Sequence, residues 1–306
     1  MKTSYYSHGK LLLSGEYAVL DGARALALPT RPGQWLEVFE DRGQGLSWTS
    51  LDADGTPWLE ARFEPEALAQ APGPGPFPTD PAARLLRILQ TAVSLQPAFL
   101  HKTRGRRVIT RLEFPRQWGL GSSSTLLANL AEWAETDPYA LLDRTLGGSG
   151  YDLACAAADH PIYYQRTAPH QPRVEAAPFD PPFAESLWFV YLNVKQDSRE
   201  GIERYRRLQS VPESLLAEIS ALGGHLATAA TLPAFRAALD RHEALISGLL
   251  GLPTVKKRLF PDYAGSLKSL GAWGGDFILA AGDSDTPHYF REKGYVTCLP
   301  YRELIA

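Results

Sequence analysis

An α+β fold, with antiparallel sheets backed by helices, is what this 306-residue sequence predicts. Three observations carry that expectation: short alternating runs broken by turns at the start, long helical spacings in the second half, and a strand, helix, strand pattern near the end.

The elements follow in order. Leu11 to Leu13 and Tyr17 to Leu20 are short apolar runs before the Asp21-Gly22 turn, and Trp35 to Glu40, Leu46 to Ser50 and Thr56 to Glu64 alternate around Gly-rich and Asp-Gly turns. All read as strands of a hairpin-rich sheet. From Pro65 to Pro81 the segment PEALAQAPGPGPFPTDP holds too much proline and glycine for a regular element, so a surface loop is expected. Asp80-Pro81 then has the form of an N-cap with proline at the first helical position, and Leu85, Leu86, Ile88, Leu89 and Val93 make a helical apolar stripe. Val108, Thr110, Leu112 and Phe114 share one face of a following strand, with Arg111 and Glu113 on the other. The second half opens on the apolar strand LWFVYLNV. It continues through helical stretches near 199–208, 212–229 and 232–250, and ends with a strand from Phe277 to Ala281, a helix around 286–293 and a strand from Tyr295 to Leu299. There is no internal repeat.

The bulk properties narrow the function classes. With 44% hydrophobic residues the chain is long enough for more than one core, so two joined lobes are expected. Lys plus Arg number 31 against 34 Asp plus Glu, a formal charge of -3, which supplies no basic field for nucleic acid or an anionic membrane. The two cysteines, Cys155 and Cys298, stand in no metal-ligand spacing, and neither a disulfide framework nor a zinc site is expected. Together with an N-terminus that lacks signal-peptide layout, and no run long enough to span a bilayer, this points to the cytoplasm.

The most informative segment follows Phe114. In PRQWGLGSSSTLLANLAEWAE, Gly119 and Gly121 precede Ser122, Ser123 and Ser124 and a helix with Leu126, Leu127, Leu130 and Trp133 on its apolar side. Glycines let the backbone approach a bulky anion, successive N–H groups converge on it, and a helix N-terminus adds positive potential. Serine hydroxyls add hydrogen bonds or ligate a magnesium ion held by phosphates. A tight turn with one capping serine is the commoner fate of such a string alone. The chain has neither G-x-x-x-x-G-K-[ST] nor a Rossmann fingerprint, so the segment is a phosphate cradle of another design or no cradle at all.

Three separated motifs resemble the GHMP kinases, the superfamily named after galactokinase, homoserine kinase, mevalonate kinase and phosphomevalonate kinase. HGKLLLSGEYAVLDG at 8–22 is similar to the family's N-terminal motif, PRQWGLGSSS at 115–124 to its phosphate loop, and LGAWGGDFILA at 270–280 to its C-terminal glycine-rich motif. The resemblance implies a two-lobed fold, with an N-terminal ATP-binding lobe over 1–178 like ribosomal protein S5 domain 2 and a ferredoxin-like lobe over 179–306. It further implies that Gly119, Leu120, Gly121, Ser122, Ser123 and Ser124 wrap the ATP phosphates and that Ser123 binds Mg2+. Lys10 would point at the reacting phosphoryl group. Asp152, in GGSGYDLACAAAD, matches the family's S-G-x-D aspartate, which accepts the acceptor's proton or orients the acceptor. Read without the family, Asp152 simply favours the start of a helix. Glu16, Tyr17, Gly274 and Gly275 fall in segments that contact the acceptor in the family, though Glu16 and Tyr17 equally suit a sheet surface and Gly271, Gly274 and Gly275 an ordinary loop. Lys195 and Arg199 are either solvated loop charges or contacts to an anionic acceptor.

The pattern departs from the family at four places. His8 stands for a proline, Ser124 for an alanine and Trp273 for a glycine, and Leu141 occupies the position of the glutamate that ligates magnesium in mevalonate kinases, with Asp143 a poor substitute. Gly15-Glu16-Tyr17, GSGYD and Gly274-Gly275-Asp276 lean toward phosphomevalonate kinase. The function expected is therefore phosphoryl transfer from ATP to mevalonate or phosphomevalonate. A diphosphomevalonate decarboxylase-type lyase and a non-catalytic ATP and metabolite sensor are the alternatives on the same scaffold.

Overall fold

The computed structural model describes residues 2–168, 171–196, 198–208 and 210–306, with Ser198 and Arg199 described by backbone alone. The strands are β1 (Lys2–Ser14), β2 (Ala25–Glu40), β3 (Leu46–Leu51), β4 (Pro57–Phe63), β5 (Arg106–Leu112), β6 (Ile162–Ala168), β7 (Gln171–Ala176), β8 (Leu187–Tyr191), β9 (Ser266–Ser269), β10 (Phe277–Ala281) and β11 (Cys298–Pro300). The helices are α1 (Pro65–Ala69), α2 (Pro81–Leu95), α3 (Phe99–Thr103), α4 (Ser122–Ala134), α5 (Pro138–Asp143), α6 (Tyr151–Ala156), α7 (Ser198–Arg206), α8 (Glu213–Thr228), α9 (Leu232–Leu250), α10 (Val255–Leu259), α11 (Thr286–Glu292) and α12 (Tyr301–Leu304). The class is α+β, as the patterning predicts.

The chain folds into two compact units, and neither is continuous in sequence. The first holds Met1–Gly9, Pro32–Arg116 and Gly121–Ala157, and the second holds Lys10–Arg31, Gln117–Leu120 and Ala158–Ala306. This is not a single division after residue 178. Both β1 and β2 are long enough to give one end to each unit, which no composition shift in the sequence marks.

In the first unit, β4, β3, β5 and the second part of β2 are neighbours in that order. The β3–β4 hairpin is antiparallel, β3 and β5 run parallel from Leu46↔Arg106 to Leu51↔Arg111, and β2 pairs antiparallel with β5 from Gln34↔Leu112 to Glu40↔Arg106. Trp48, Leu89, Phe99, Leu127, Leu130 and Trp133 fill the core over this sheet, the Phe99 ring standing edge-on to Trp133 at 4.8 Å. Helix α2 begins as expected: the Asp80 carboxylate accepts the Ala83 N–H at 2.8 Å, Pro81 follows, and Leu85, Ile88 and Leu89 are buried.

In the second unit, β6 pairs antiparallel with the first part of β2, Ala25 to Ala27, and with β7. A separate antiparallel sheet has the order β11-β8-β10-β9, with Phe277 opposite Tyr191 and Ile278 opposite Ser269. Helices α8 and α9 pack together, and α9 lies against β9.

Several expectations are corrected by these elements. Tyr17 to Leu20 is no strand: Gly15 at φ 89 and Tyr17 at φ 59 bend the chain into a 3-10 turn over Ala18–Asp21. The proline-rich segment contains one short helix, α1, because Pro65 suits a first helical turn. The final strand covers Cys298–Pro300 only. Strands β6, β7 and β9 carry no clear apolar alternation and have no counterpart among the predicted elements.

Candidate functional site: the glycine turns and their supports

The turn after Phe114 is held in place before it reaches its glycines. Within the second unit the Trp118 ring stands edge-on to Phe277 at 5.4 Å, and the Tyr191 hydroxyl donates to Gln117 O at 3.1 Å. Lys10 then grips the turn twice: its N–H donates to Leu120 O at 2.9 Å, and its ammonium donates to Gly119 O at 3.1 Å. Gly119 sits at φ +67, and a Cβ there would collide with the carboxyl group of Asp276, so this residue must be glycine on both counts.

Asp276 follows the other glycine-rich turn and lies at φ 53. Its N–H donates to Val194 O at 2.7 Å, its carbonyl accepts the Leu192 N–H at 2.8 Å, and Oδ1 accepts the Gln196 N–H at 3.2 Å. A side chain on Gly275 would strike Val194 O, and one on Gly274 would stand 3.0 Å from Gln196 Oε1. The segment bearing exposed Lys195 is thus clamped to Gly274, Gly275 and Asp276 by its own main chain. Burial raises the Asp276 pKa, while the charges of Lys10 and Lys195 and the Gln196 N–H oppose that rise. The Arg199 side chain lies outside the described residues.

Tyr17 also belongs to this unit. Its hydroxyl accepts the Trp273 N–H at 3.0 Å, and its ring stacks on Tyr205 at 6.0 Å. Tyr17, Gln196, Gly201, Arg204, Leu252 and Trp273 are among the residues lining a cavity of about 90 Å³. The Trp273 indole N–H is buried and finds no partner among the described residues.

Glu16, by contrast, faces inward. It is 1% exposed and its Oε1 accepts from the equally buried ammonium of Lys268, which also donates to Ser269 O at 2.9 Å. Its Oε2 lies 3.6 Å from His242 Nε2, which accepts the Gly15 N–H at 3.1 Å. Burial drives the His242 pKa well below 6.5, so the ring is neutral with its proton on Nδ1. Glu243 completes the cluster by accepting from Ser269 N–H and Oγ and from Val255 N–H. Glu16 therefore supports the turn that carries Tyr17 and has no surface open to an acceptor. Lys268, His242 and Glu243 were not legible as site supports, and their one signal is charge inside otherwise apolar elements.

In the first unit, Gly121 at φ 89 is the N-cap of α4, and no side chain caps that helix. Ser124 and Thr125 N–H groups donate back to Gly121 O, Ser123 is exposed, and Ser122 and Ser124 are partly exposed. Below them Thr125 Oγ1 donates to Gln34 Oε1 at 2.6 Å and Asn129 Nδ2 to Gln34 O at 2.9 Å, fixing α4 on β2. Asp152 lies in the first turn of α6, which has the same type of start, Gly150 at φ 88 with no side-chain cap, and which packs on α4. Leu141 is wholly buried in the core of this unit, and Asp143 is exposed on α5. No three His, Cys, Asp or Glu side chains gather as a metal group among the described residues. No helix among the described residues is long and apolar enough to cross a membrane.

The fold is shared with known small-molecule kinases. A mevalonate kinase of Methanococcus jannaschii superposes with a TM-score of 0.73 at 14% identity, over 98% of each chain. Streptococcus pneumoniae phosphomevalonate kinase, solved with phosphomevalonate and AMPPNP, gives 0.70 at 17% identity over 97% of this chain and 99% of its own. A D-glycero-D-manno-heptose 1-phosphate kinase from Bacteroides thetaiotaomicron gives 0.67 at 13% identity, over 100% and 96%. No family model matches the sequence and no curated protein matches it. The chain has the GHMP kinase fold, mixed α and β, at low sequence identity.

Proposed function

We propose that the chain is an ATP-dependent kinase that transfers the γ-phosphoryl group to a small anionic acceptor of the mevalonate or phosphomevalonate kind. The observation that carries this reading is the glycine turn at 119–121, gripped by main chain and side chain of Lys10 and leading into the uncapped start of α4. Such a turn brings main-chain N–H groups and helix-end potential to a polyanion. The likeness of fold to phosphomevalonate kinase and mevalonate kinase supports the acceptor class.

The residues suit ATP, since the Lys10 ammonium stands at the Gly119 carbonyl and α4 begins without a side-chain cap. They also suit Mg2+ brought by the nucleotide, with the exposed Ser123 hydroxyl to hold it, because magnesium keeps mostly phosphate and water ligands. When bound, that ion neutralises phosphate charge. Gly119, Leu120, Gly121, Ser122, Ser123 and Ser124 hold the phosphates; Lys10 stabilises charge that develops on the transferred group; Asp152 orients the acceptor or takes its proton. Tyr17, Lys195, Gly274 and Gly275 bound the acceptor, and Arg204, which lines the small cavity beside Tyr17 together with Glu200, is available to its anionic group. Glu16 acts from beneath, through the Tyr17 turn.

The test is ADP release in a coupled assay with mevalonate, phosphomevalonate, galactose and heptose phosphate as acceptors, with product identified by mass spectrometry. Stimulation by mevalonate or phosphomevalonate, without carbon dioxide release, is expected. Asp152→Asn should lower kcat at least about 100-fold, as loss of a general base or orienting group does, with nucleotide affinity within about twofold of wild type. No stimulation by any acceptor would sink the reading, and carbon dioxide release would assign the lyase.

A further inference from the structure

We propose that Asp276 makes the phosphate turn selective for nucleotide carrying a divalent cation over the same nucleotide without one. The proposal rests on the nucleotide-binding reading above and adds a role to a residue that reading does not use.

Geometry comes first. The Asp276 carboxyl group packs directly on the Cα of Gly119, in the space any side chain at 119 would need. It cannot easily move away: the Asp276 main chain is bonded on both sides to Val194 and Leu192, its Oδ1 accepts the Gln196 N–H, and its φ of 53 is fixed by those bonds. The ammonium of Lys10 reaches the carbonyl of the same glycine. One glycine of the anion turn therefore carries a cation on one group and a carboxylate on another.

A fixed carboxylate is out of place beside a turn meant for a bare polyanion, because like charges in a partly buried setting repel. It suits a polyanion whose charge is partly cancelled by magnesium, a hard cation that favours carboxylate and phosphate oxygens, directly or through its waters. At the position where the family carries a glutamate this chain has Leu141, sealed in the core, so that residue supplies no carboxylate to a metal. The lysines that Asp276 feels, Lys10 and Lys195, favour its charged form against the effect of burial. The residue is thus a charge filter: it disfavours free nucleotide and tolerates or attracts the metal complex.

The experiment is calorimetric titration of the full chain with AMPPNP, once with excess Mg2+ and once with EDTA, for wild type and Asp276→Asn. The amide keeps the shape and can still accept the Gln196 N–H. At an effective dielectric near 20, removing one charge about 12 Å from a phosphate is worth roughly tenfold, and a nearer one more, so tenfold is the least effect expected. Asp276→Asn should therefore tighten metal-free AMPPNP at least about tenfold and leave the Mg2+ complex unchanged or weaker, so the ratio of the two affinities falls by about tenfold or more. Asp276→Ser should give the same fall, and stands in if the asparagine variant does not fold. A ratio unchanged from wild type in the folded variant overturns the filter while leaving the nucleotide reading intact. Wild type that binds no AMPPNP even with Mg2+ overturns both.

Discussion

Glu16 is a carboxylate in a place that water does not reach, and its chemistry follows from that. Burial pushes its pKa up to about 7 against the pull of Lys268, from an ordinary value of 4.5. The folded chain then holds a proton that the unfolded chain has released, so stability contributed by this group is full below about pH 4.5 and is lost as pH rises through about 7. Glu16→Gln removes that titration. The stability advantage of wild type over the variant in urea unfolding should shrink between about pH 5 and pH 8, and an advantage constant across that range would show Glu16 to be ionised throughout. At this scale the sequence was a good guide to glycines and a poor one to charges. Gly119 and Gly121 were singled out because glycine lets the backbone approach a bulky anion; both have positive φ, and at Gly119 the group packed close is the Asp276 carboxyl. Glu16 and Lys268 are 252 residues apart, and no local pattern pairs residues over such a separation.

The same ion pair has a meaning for the elements that carry it. Strand β9 is only four residues, Ser266–Ser269, and buried along its whole length, so it draws little from propensity and much from what its side chains reach. Lys268 ties it to the Gly15–Tyr17 turn, and Ser269 ties it to Glu243 of α9. Lys268→Met leaves the Glu16 carboxylate without its cation and should destabilise the protein by about 3 kcal/mol, measured by urea unfolding at about pH 8, above the Glu16 pKa. Adding Glu16→Gln to it should recover most of that loss, and an equal loss in the double variant would mean that packing rather than charge is at work. The long elements were legible because their periodicity is clean: α2, α8, α9 and β10 lie within a residue or two of the expected bounds. Strand β9 was not, since SLKS alternates with no apolar face, and neither was the 3-10 turn after Tyr17, whose positive φ no tyrosine announces.

For the whole molecule, the discontinuity of both units matters more than any boundary. Tyr17, Ala18 and Ala23 share a core with Tyr205, Ile219, Ile246, Leu250 and Trp273, all in the second unit. A fragment of Ala158–Ala306 alone lacks the Lys10–Arg31 segment, exposes that core and leaves Lys268 unpaired by Glu16. It should show no cooperative urea transition by circular dichroism, whereas a sharp transition would prove it an independent domain. Apolar periodicity reports which residues are buried and not which core they enter, and this is why two lobes were foreseen and their true membership was not.

The order of synthesis gives that membership a further consequence. Gly121–Ala157, the last stretch of the first unit, is synthesised well before Lys268, and Glu16 must wait 252 residues for its lysine. At roughly 5–20 residues per second that is a delay of about 10 to 50 s, during which Leu11 to Leu13 and Ala25 to Leu28 have no finished core to enter. The nascent chain therefore carries a sticky, half-partnered hairpin until Lys268 has been made, and that hairpin is where a holding chaperone would engage it.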